Sequence, residues 1–119
     1  MKKNIYVVED NDDIRDLVQY LLESEGYEVE AFANVSDFER KFELAKPDAL
    51  VLDIMLPDGN GMDLCNKIKA SSATKNLPVL LMSANTNALF INKKTEADDF
   101  ISKPFDIDEF ASKVHKILA

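Results

Sequence analysis

The chain has 119 residues, of which 46% are hydrophobic, and it carries a net charge of −8. These values indicate one globular domain over residues 1–119 and exclude a disordered chain, and the acidic balance argues against nucleic-acid binding by this domain. No apolar stretch approaches the roughly 20 residues of a membrane span, and the N-terminus is too short for a signal peptide, so we expect a cytoplasmic protein.

Short apolar runs alternate with helical patterns, which is typical of βαβ units and a parallel sheet in an α/β fold. The first helix has the clearest pattern, because five apolar residues at helical spacing share one face: Ile14, Leu17, Val18, Leu21 and Leu22. Segment 86–97 has few apolar residues and no clean periodicity, so we expect a short or frayed helix there. The strands are predicted near residues 4–9, 27–32, 49–52, 78–82 and 99–102. The helices are predicted near residues 13–25, 35–45, 61–70 and 106–118, and the helix near 13–25 is the one just described.

Polar side chains follow four of the predicted strands at the points where those strands end. Glu9 and Asp10 follow the first strand, Asp53 the third, Ser83 the fourth and Lys103 the fifth. The carboxyl ends of parallel strands meet at one edge of a sheet, where open α/β sheets bind ligands. Three carboxylates, a hydroxyl and an ammonium in one crevice predict a site for a divalent cation and a phosphoryl group.

The chemistry of these residue types narrows the site further. Asp53 enters a turn rich in proline and glycine, and its carboxylate could act as a nucleophile toward phosphorus or as a metal ligand. Glu9 and Asp10 suit Mg²⁺, because this ion takes oxygen ligands and one carboxylate could act directly and the other through water. Lys103 supplies a point charge for phosphate, and Ser83 supplies a hydroxyl donor.

Four sequence motifs at these strand ends resemble the receiver domain of bacterial two-component response regulators. They extend along the whole chain and read Val7-Val8-Glu9-Asp10-Asn11, Leu52-Asp53-Ile54-Met55-Leu56-Pro57-Asp58-Gly59-Asn60-Gly61, Met82-Ser83-Ala84 and Lys103-Pro104-Phe105. The resemblance implies a flavodoxin-like, doubly wound parallel sheet of five strands in the order 2-1-3-4-5, with helices on both faces.

The resemblance also implies a role for each acidic residue. Asp53 matches the phosphoacceptor, which takes a phosphoryl group from the phosphohistidine of a sensor histidine kinase or a phosphotransfer protein. Asp10, Asp53 and the backbone carbonyl of Met55 match the ligands of Mg²⁺, with Glu9 acting through water. Such a domain is a phosphoacceptor switch that assists its own phosphorylation and dephosphorylation, and is not otherwise an enzyme.

The resemblance implies that Ser83 and Lys103 contact the phosphoryl oxygens, and we place Ala84 with them because its small side chain leaves room for the incoming group. Phe100 matches the switch aromatic, at a position where the family commonly has Tyr. We predict that phosphorylation changes the surface of residues 86–118, which comprises segment 86–97, the fifth strand and the last helix. This surface could bind an effector or a second copy of the chain, as a homodimer.

Two other functions remain as alternatives. A metal-dependent phosphatase with an aspartyl nucleophile would place similar residues at its strand ends. Such enzymes typically carry a second Asp two residues after the nucleophile, whereas this chain has Met55, which cannot transfer a proton. A receiver-like binding module that is never phosphorylated is the third possibility, although no residue of the predicted site is missing. The chain departs from the family pattern at Glu96, where the family often has Gly, and in a slightly shorter stretch between Ser83 and Lys103. Both departures bear on the predicted helix within residues 86–97.

Overall fold

The computed structural model describes residues 2–84 and 95–119, which form a five-stranded parallel sheet with helices on both faces. The strands are β1 (Asn4–Val8), β2 (Glu28–Phe32), β3 (Ala49–Asp53), β4 (Val79–Ser83) and β5 (Asp99–Ser102), and their order is β2-β1-β3-β4-β5. The helices are α1 (Asp12–Ser24), α2 (Val35–Leu44), α3 (Gly61–Ala70) and α4 (Ile107–Leu118). The predicted fold class and strand order are confirmed.

One part of the chain forms an element that was not predicted, and part of one predicted helix lies outside the described residues. A short antiparallel hairpin, Met55–Leu56 with Gly59–Asn60, lies between β3 and α3 and was not predicted. Residues 86–94 of the predicted short helix lie outside the described residues, and residues 95–97 are not helical. Within residues 2–84 and 95–119, no helix has the length and apolarity that a membrane crossing requires.

The sheet is buried on both faces, and alternate residues of each central strand enter opposite cores. In β1, for example, Ile5 and Val7 pack with α1 and α4, whereas Tyr6 and Val8 pack with α2 and α3. Strands covered on both faces need apolar residues at every position, which explains the continuous apolar runs in the sequence. The helix residues of the second core include Cys65, whose side chain is fully buried.

Two glycines allow backbone positions that a side chain would disturb. Gly26 follows α1 with φ of +91°, a left-handed conformation that glycine adopts readily. At Gly61, a Cβ atom would lie 2.1 Å from the carbonyl oxygen of Asp53. The start of α3 therefore lies directly against the end of β3, and only glycine permits that approach.

We expect Gly61→Ala to be far more destabilising than Gly26→Ala. The first substitution forces a methyl group into the backbone of β3, which should lower the free energy of unfolding by about 3 kcal/mol. The second meets no atom within 4 Å, and only its left-handed backbone costs about 1 kcal/mol. Urea unfolding of the two variants measures the difference, and equal losses would contradict the close packing of α3 on β3.

Candidate functional site

Three carboxylates meet at the carboxyl edge of the sheet. Ligand oxygens of Glu9, Asp10 and Asp53 all lie within 4.8 Å of one another. The side chain of Glu9 is fully buried and Asp53 is 5% exposed, whereas Asp10 is open to solvent. The predicted convergence of the strand ends is therefore confirmed for the acidic residues. Like charges at this separation repel one another strongly, so the cluster requires a nearby positive charge.

Lys103 supplies that positive charge from the end of β5. Its Nζ atom lies 2.5 Å from Oε1 of Glu9 and 3.2 Å from Oδ2 of Asp53, and its side chain is 13% exposed. Burial by itself lowers the pKa of Lys103, but the hydrogen bond to Glu9 and the charges of Asp53 and Glu9 outweigh it, so the pKa is raised. The ammonium group therefore stays protonated and balances the buried carboxylates.

Arg15 of α1 supports the turn that presents Glu9 and Asp10. Its guanidinium donates to the backbone carbonyl oxygens of Glu9 at 2.9 Å and Asp10 at 3.4 Å, and to the Asp12 carboxylate. The amide of Asn11 donates to Oε2 of Glu9 at 3.1 Å. Sequence reasoning missed Arg15, although its place three residues after Asp12, at ion-pair spacing on a helix, is a usable signal.

The structure also describes the positions of the remaining predicted site residues. Ser83 ends β4, is 8% exposed and accepts a hydrogen bond at its carbonyl oxygen from the amide of Lys103 at 2.7 Å. Ala84 follows it and is exposed. Met55 lies two residues after Asp53, with its side chain 78% exposed. Phe100 is half-buried against the core formed with α2 and α3. Their proposed roles remain predictions.

Residues 54–60, which we call the site loop, connect Asp53 to α3 and also contact α2. The carboxylate of Asp58 accepts hydrogen bonds from the amides of Val35 at 2.8 Å and Ser36 at 3.0 Å. These two bonds lower the pKa of Asp58. Asp58 thus caps the start of a helix 22 residues earlier in the chain. The sequence marked this position only as part of a turn, because a contact between distant segments has no local signal.

The carboxylate cluster fits a small divalent cation. All of its donors are oxygen atoms, which Mg²⁺ and Ca²⁺ prefer. Two ligands on opposite sides of a Mg²⁺ ion lie about 4.2 Å apart, and the ligand oxygens lie within 4.8 Å of one another. Because Asp10 is exposed, water has access to complete the coordination. Glu9, Asp10 and Asp53 could therefore hold such an ion.

An apolar groove of about 470 Å³ opens beside the cluster, at the same edge of the sheet. Its walls are α1 and the turn after β5, and Lys103 forms part of its lining. Among residues 2–84 and 95–119, those that line it are Ile14, Leu17, Ala84, Lys103, Pro104 and Phe105. The charged crevice is therefore bordered by an apolar surface.

Comparison with known proteins gives consistent matches over nearly the whole chain. The model of the response regulator receiver domain matches residues 5–115. The phosphate regulon transcriptional regulatory protein PhoB of Rhizobium meliloti is 33% identical over 120 residues, which cover 99% of this chain and 53% of that protein. The alkaline phosphatase synthesis transcriptional regulatory protein PhoP of Bacillus subtilis is 34% identical over 120 residues, which cover 99% of this chain and 49% of that protein.

Solved structures agree with the sequence comparison. A CheY-like response regulator receiver domain protein from Methanospirillum hungatei JF-1 superposes with a TM-score of 0.87 at 28% identity, covering 99% of this chain and 94% of that one. The chain spans about half the length of the two curated relatives named above.

We expect Lys103→Met to lower the free energy of unfolding by about 3 kcal/mol in buffer without divalent cations, because it leaves buried carboxylates without a counter-charge. A raised lysine pKa contributes stability that is fully present below its unfolded value, about 10.4, and is lost as pH rises through the folded pKa. The difference in the free energy of unfolding between wild type and Lys103→Met should therefore be constant from neutral pH to about pH 10 and become smaller at higher pH.

Urea unfolding between pH 7 and pH 11.5 measures this difference. Lys113→Met is the matched control, since Lys113 pairs with Asp99 at 3.3 Å in a more exposed position and should contribute less than about 1 kcal/mol. Equal losses in the two variants, or a difference that widens at high pH, would contradict the assignment of Lys103.

Proposed function

The chain belongs to the response regulator receiver domain family, and on that premise we propose that it is a two-component switch whose Asp53 accepts a phosphoryl group. The donor is the phosphohistidine of a sensor histidine kinase or a phosphotransfer protein. The observation that carries the proposal is the carboxylate cluster around Asp53, with the ammonium of Lys103 at 3.2 Å from Asp53 Oδ2.

Phosphoryl transfer at this site needs a nucleophile and stabilisation of negative charge. A carboxylate oxygen of Asp53 forms a bond to phosphorus, the P–N bond to the histidine breaks, and the imidazole nitrogen keeps the electron pair and is later protonated. Lys103 stabilises the charge on the phosphoryl oxygens as a charge-assisted donor. A Mg²⁺ ion held by Asp10, Asp53 and the carbonyl of Met55, with Glu9 acting through water, would neutralise further charge there.

The arrangement supports a switch that assists its own phosphorylation and dephosphorylation, and not a turnover enzyme acting on separate substrates. Residues 1–119 act together as one receiver domain in this proposal. Its place of action is the cytoplasm, where a histidine kinase draws on ATP. The net charge of −8 opposes contact between this domain and nucleic acid.

The phosphoryl group adds about −1.5 to −2 charge units at the cluster. In this proposal Ser83, Ala84 and Lys103 contact its oxygens. The backbone hydrogen bond from the amide of Lys103 to the carbonyl oxygen of Ser83 joins the ends of β4 and β5. A displacement of either residue therefore also displaces the other strand. Phe100 of β5 then repacks, and the surface of residues 86–118 binds an effector or a second copy of the chain.

The first test is direct phosphorylation. Incubation with acetyl phosphate and Mg²⁺ should add one phosphoryl group to the wild-type protein, because the small donor bypasses the kinase. Asp53→Asn and wild type in excess EDTA should gain none, and intact mass spectrometry measures the result. An equal mass gain in Asp53→Asn would refute the phosphoacceptor, and sustained hydrolysis of p-nitrophenyl phosphate would instead favour a phosphatase.

The second test concerns the response. Beryllofluoride with Mg²⁺ should bind as a phosphoryl mimic and change hydrogen exchange within residues 95–118, and Ser83→Ala should bind it but show a smaller change. Lys103→Ala should lose more than Ser83→Ala, because a charge-assisted hydrogen bond is about twice as strong as a neutral one. Exchange changes confined to α1 and the site loop would rule out the surface of residues 86–118.

A further inference from the structure

The site loop is fixed at both of its ends by backbone hydrogen bonds. The amide of Ile54 donates to the carbonyl oxygen of Met82 at 3.0 Å, and the amide of Gly61 donates to the carbonyl oxygen of Ile54 at 2.7 Å. Asn60 caps α3 through its side chain, which accepts from the amide of Met62 at 2.7 Å. These bonds hold the points where the loop leaves β3 and enters α3, but they do not hold its tip.

Among the described side-chain hydrogen bonds, only those of Asp58 hold the tip of the site loop. Below the tip, Met55–Leu56 pairs with Gly59–Asn60, and Leu56 packs against the core formed with α2 and α3. Its two carboxylate oxygens accept from the first two amides of α2, those of Val35 and Ser36. Asn34 accepts from the third amide, that of Asp37, at 2.8 Å. The start of α2 thus has two caps, one from its own N-cap residue and one from a loop that carries part of the candidate metal site.

Close packing accompanies this pair of hydrogen bonds. A Cβ atom at Gly59 would lie 3.2 Å from Cγ2 of Val35, which is tighter than ordinary van der Waals contact. The loop therefore approaches α2 at the residue next to Asp58 as well. Because a carboxylate at a helix N-terminus also interacts favourably with the helix dipole, the contact combines charge, hydrogen bonds and shape.

We propose that Asp58 is a positioning residue that anchors the site loop to α2 and so holds the backbone of Met55 ready for a divalent cation. This inference rests on the proposed function, in which the Met55 carbonyl is a ligand. A ligand carried on a loop binds more weakly when the loop must first be ordered, because the ordering entropy is then subtracted from the binding free energy. Holding the tip in advance removes that cost.

The test compares Mg²⁺ affinity, followed by amide chemical shifts in NMR titrations, in wild type, Asp58→Ala, Asp58→Asn and Asn34→Ala. Asn34→Ala is the matched control, since it removes a cap of the same helix but leaves the site loop attached. We expect the dissociation constant to rise about tenfold in Asp58→Ala, at the lower end of the effect of losing a group that orients a metal ligand.

The two other variants separate positioning from general stability. Asp58→Asn retains an acceptor oxygen of the same reach and should recover part of the affinity, whereas Asn34→Ala should bind Mg²⁺ within about twofold of wild type. Hydrogen exchange of residues 54–60 without Mg²⁺ should accelerate in Asp58→Ala and remain unchanged in Asn34→Ala. This second readout does not depend on the cation.

Each result decides the inference. Equal affinity losses in Asp58→Ala and Asn34→Ala would overturn it, because the effect would then come from the stability of α2. Wild-type affinity and wild-type loop exchange in Asp58→Ala would also overturn it, and the proposed function would stand. If wild-type protein itself binds no Mg²⁺, the proposed function fails and this inference fails with it.

Discussion

The contact between one ammonium and two buried carboxylates is the constraint that the strand ends of this molecule must satisfy together. Glu9 is fully buried and Asp53 nearly so, and removing a charged group from water costs several kcal/mol unless it is paired. Lys103 provides the pair for both, from a strand that lies more than 90 residues after Glu9 in the chain. The first, third and fifth strands hold these three side chains together, so both carboxylates are paired without a ligand.

That convergence depends on a sheet whose strands are buried on both faces. The parallel register aligns Val8 with Leu52 and Asp53 with Met82, so the chain leaves the apolar cores at nearly the same level in each strand. A shift of one residue in any strand would exchange the two cores and move a carboxylate away from Lys103. The same packing that stabilises the fold therefore sets the distances in the site.

The fold and the acidic cluster could be predicted because each leaves a local pattern in the sequence. Five apolar runs with helical patterns between them indicated the sheet, and polar residues at the ends of those runs indicated the crevice. Asp58 was not predicted in its structural role, because it acts through a contact between segments more than 20 residues apart. Arg15 was missed although its contacts lie within six residues along the chain. The two-residue strands after Asp53 were missed because a hairpin so short has no periodicity to detect.

The single thiol of the chain allows the packing of α3 to be measured by chemical labelling. Burial raises the pKa of Cys65, so its protonation and its position on the sheet-facing side of α3 both protect it from alkylating and oxidising reagents. Modification requires α3 to separate from the sheet, and under conditions where reclosing is fast, the labelling rate reports the free energy of that opening. The protein therefore carries a built-in reporter of local unfolding at the helix that follows its site loop.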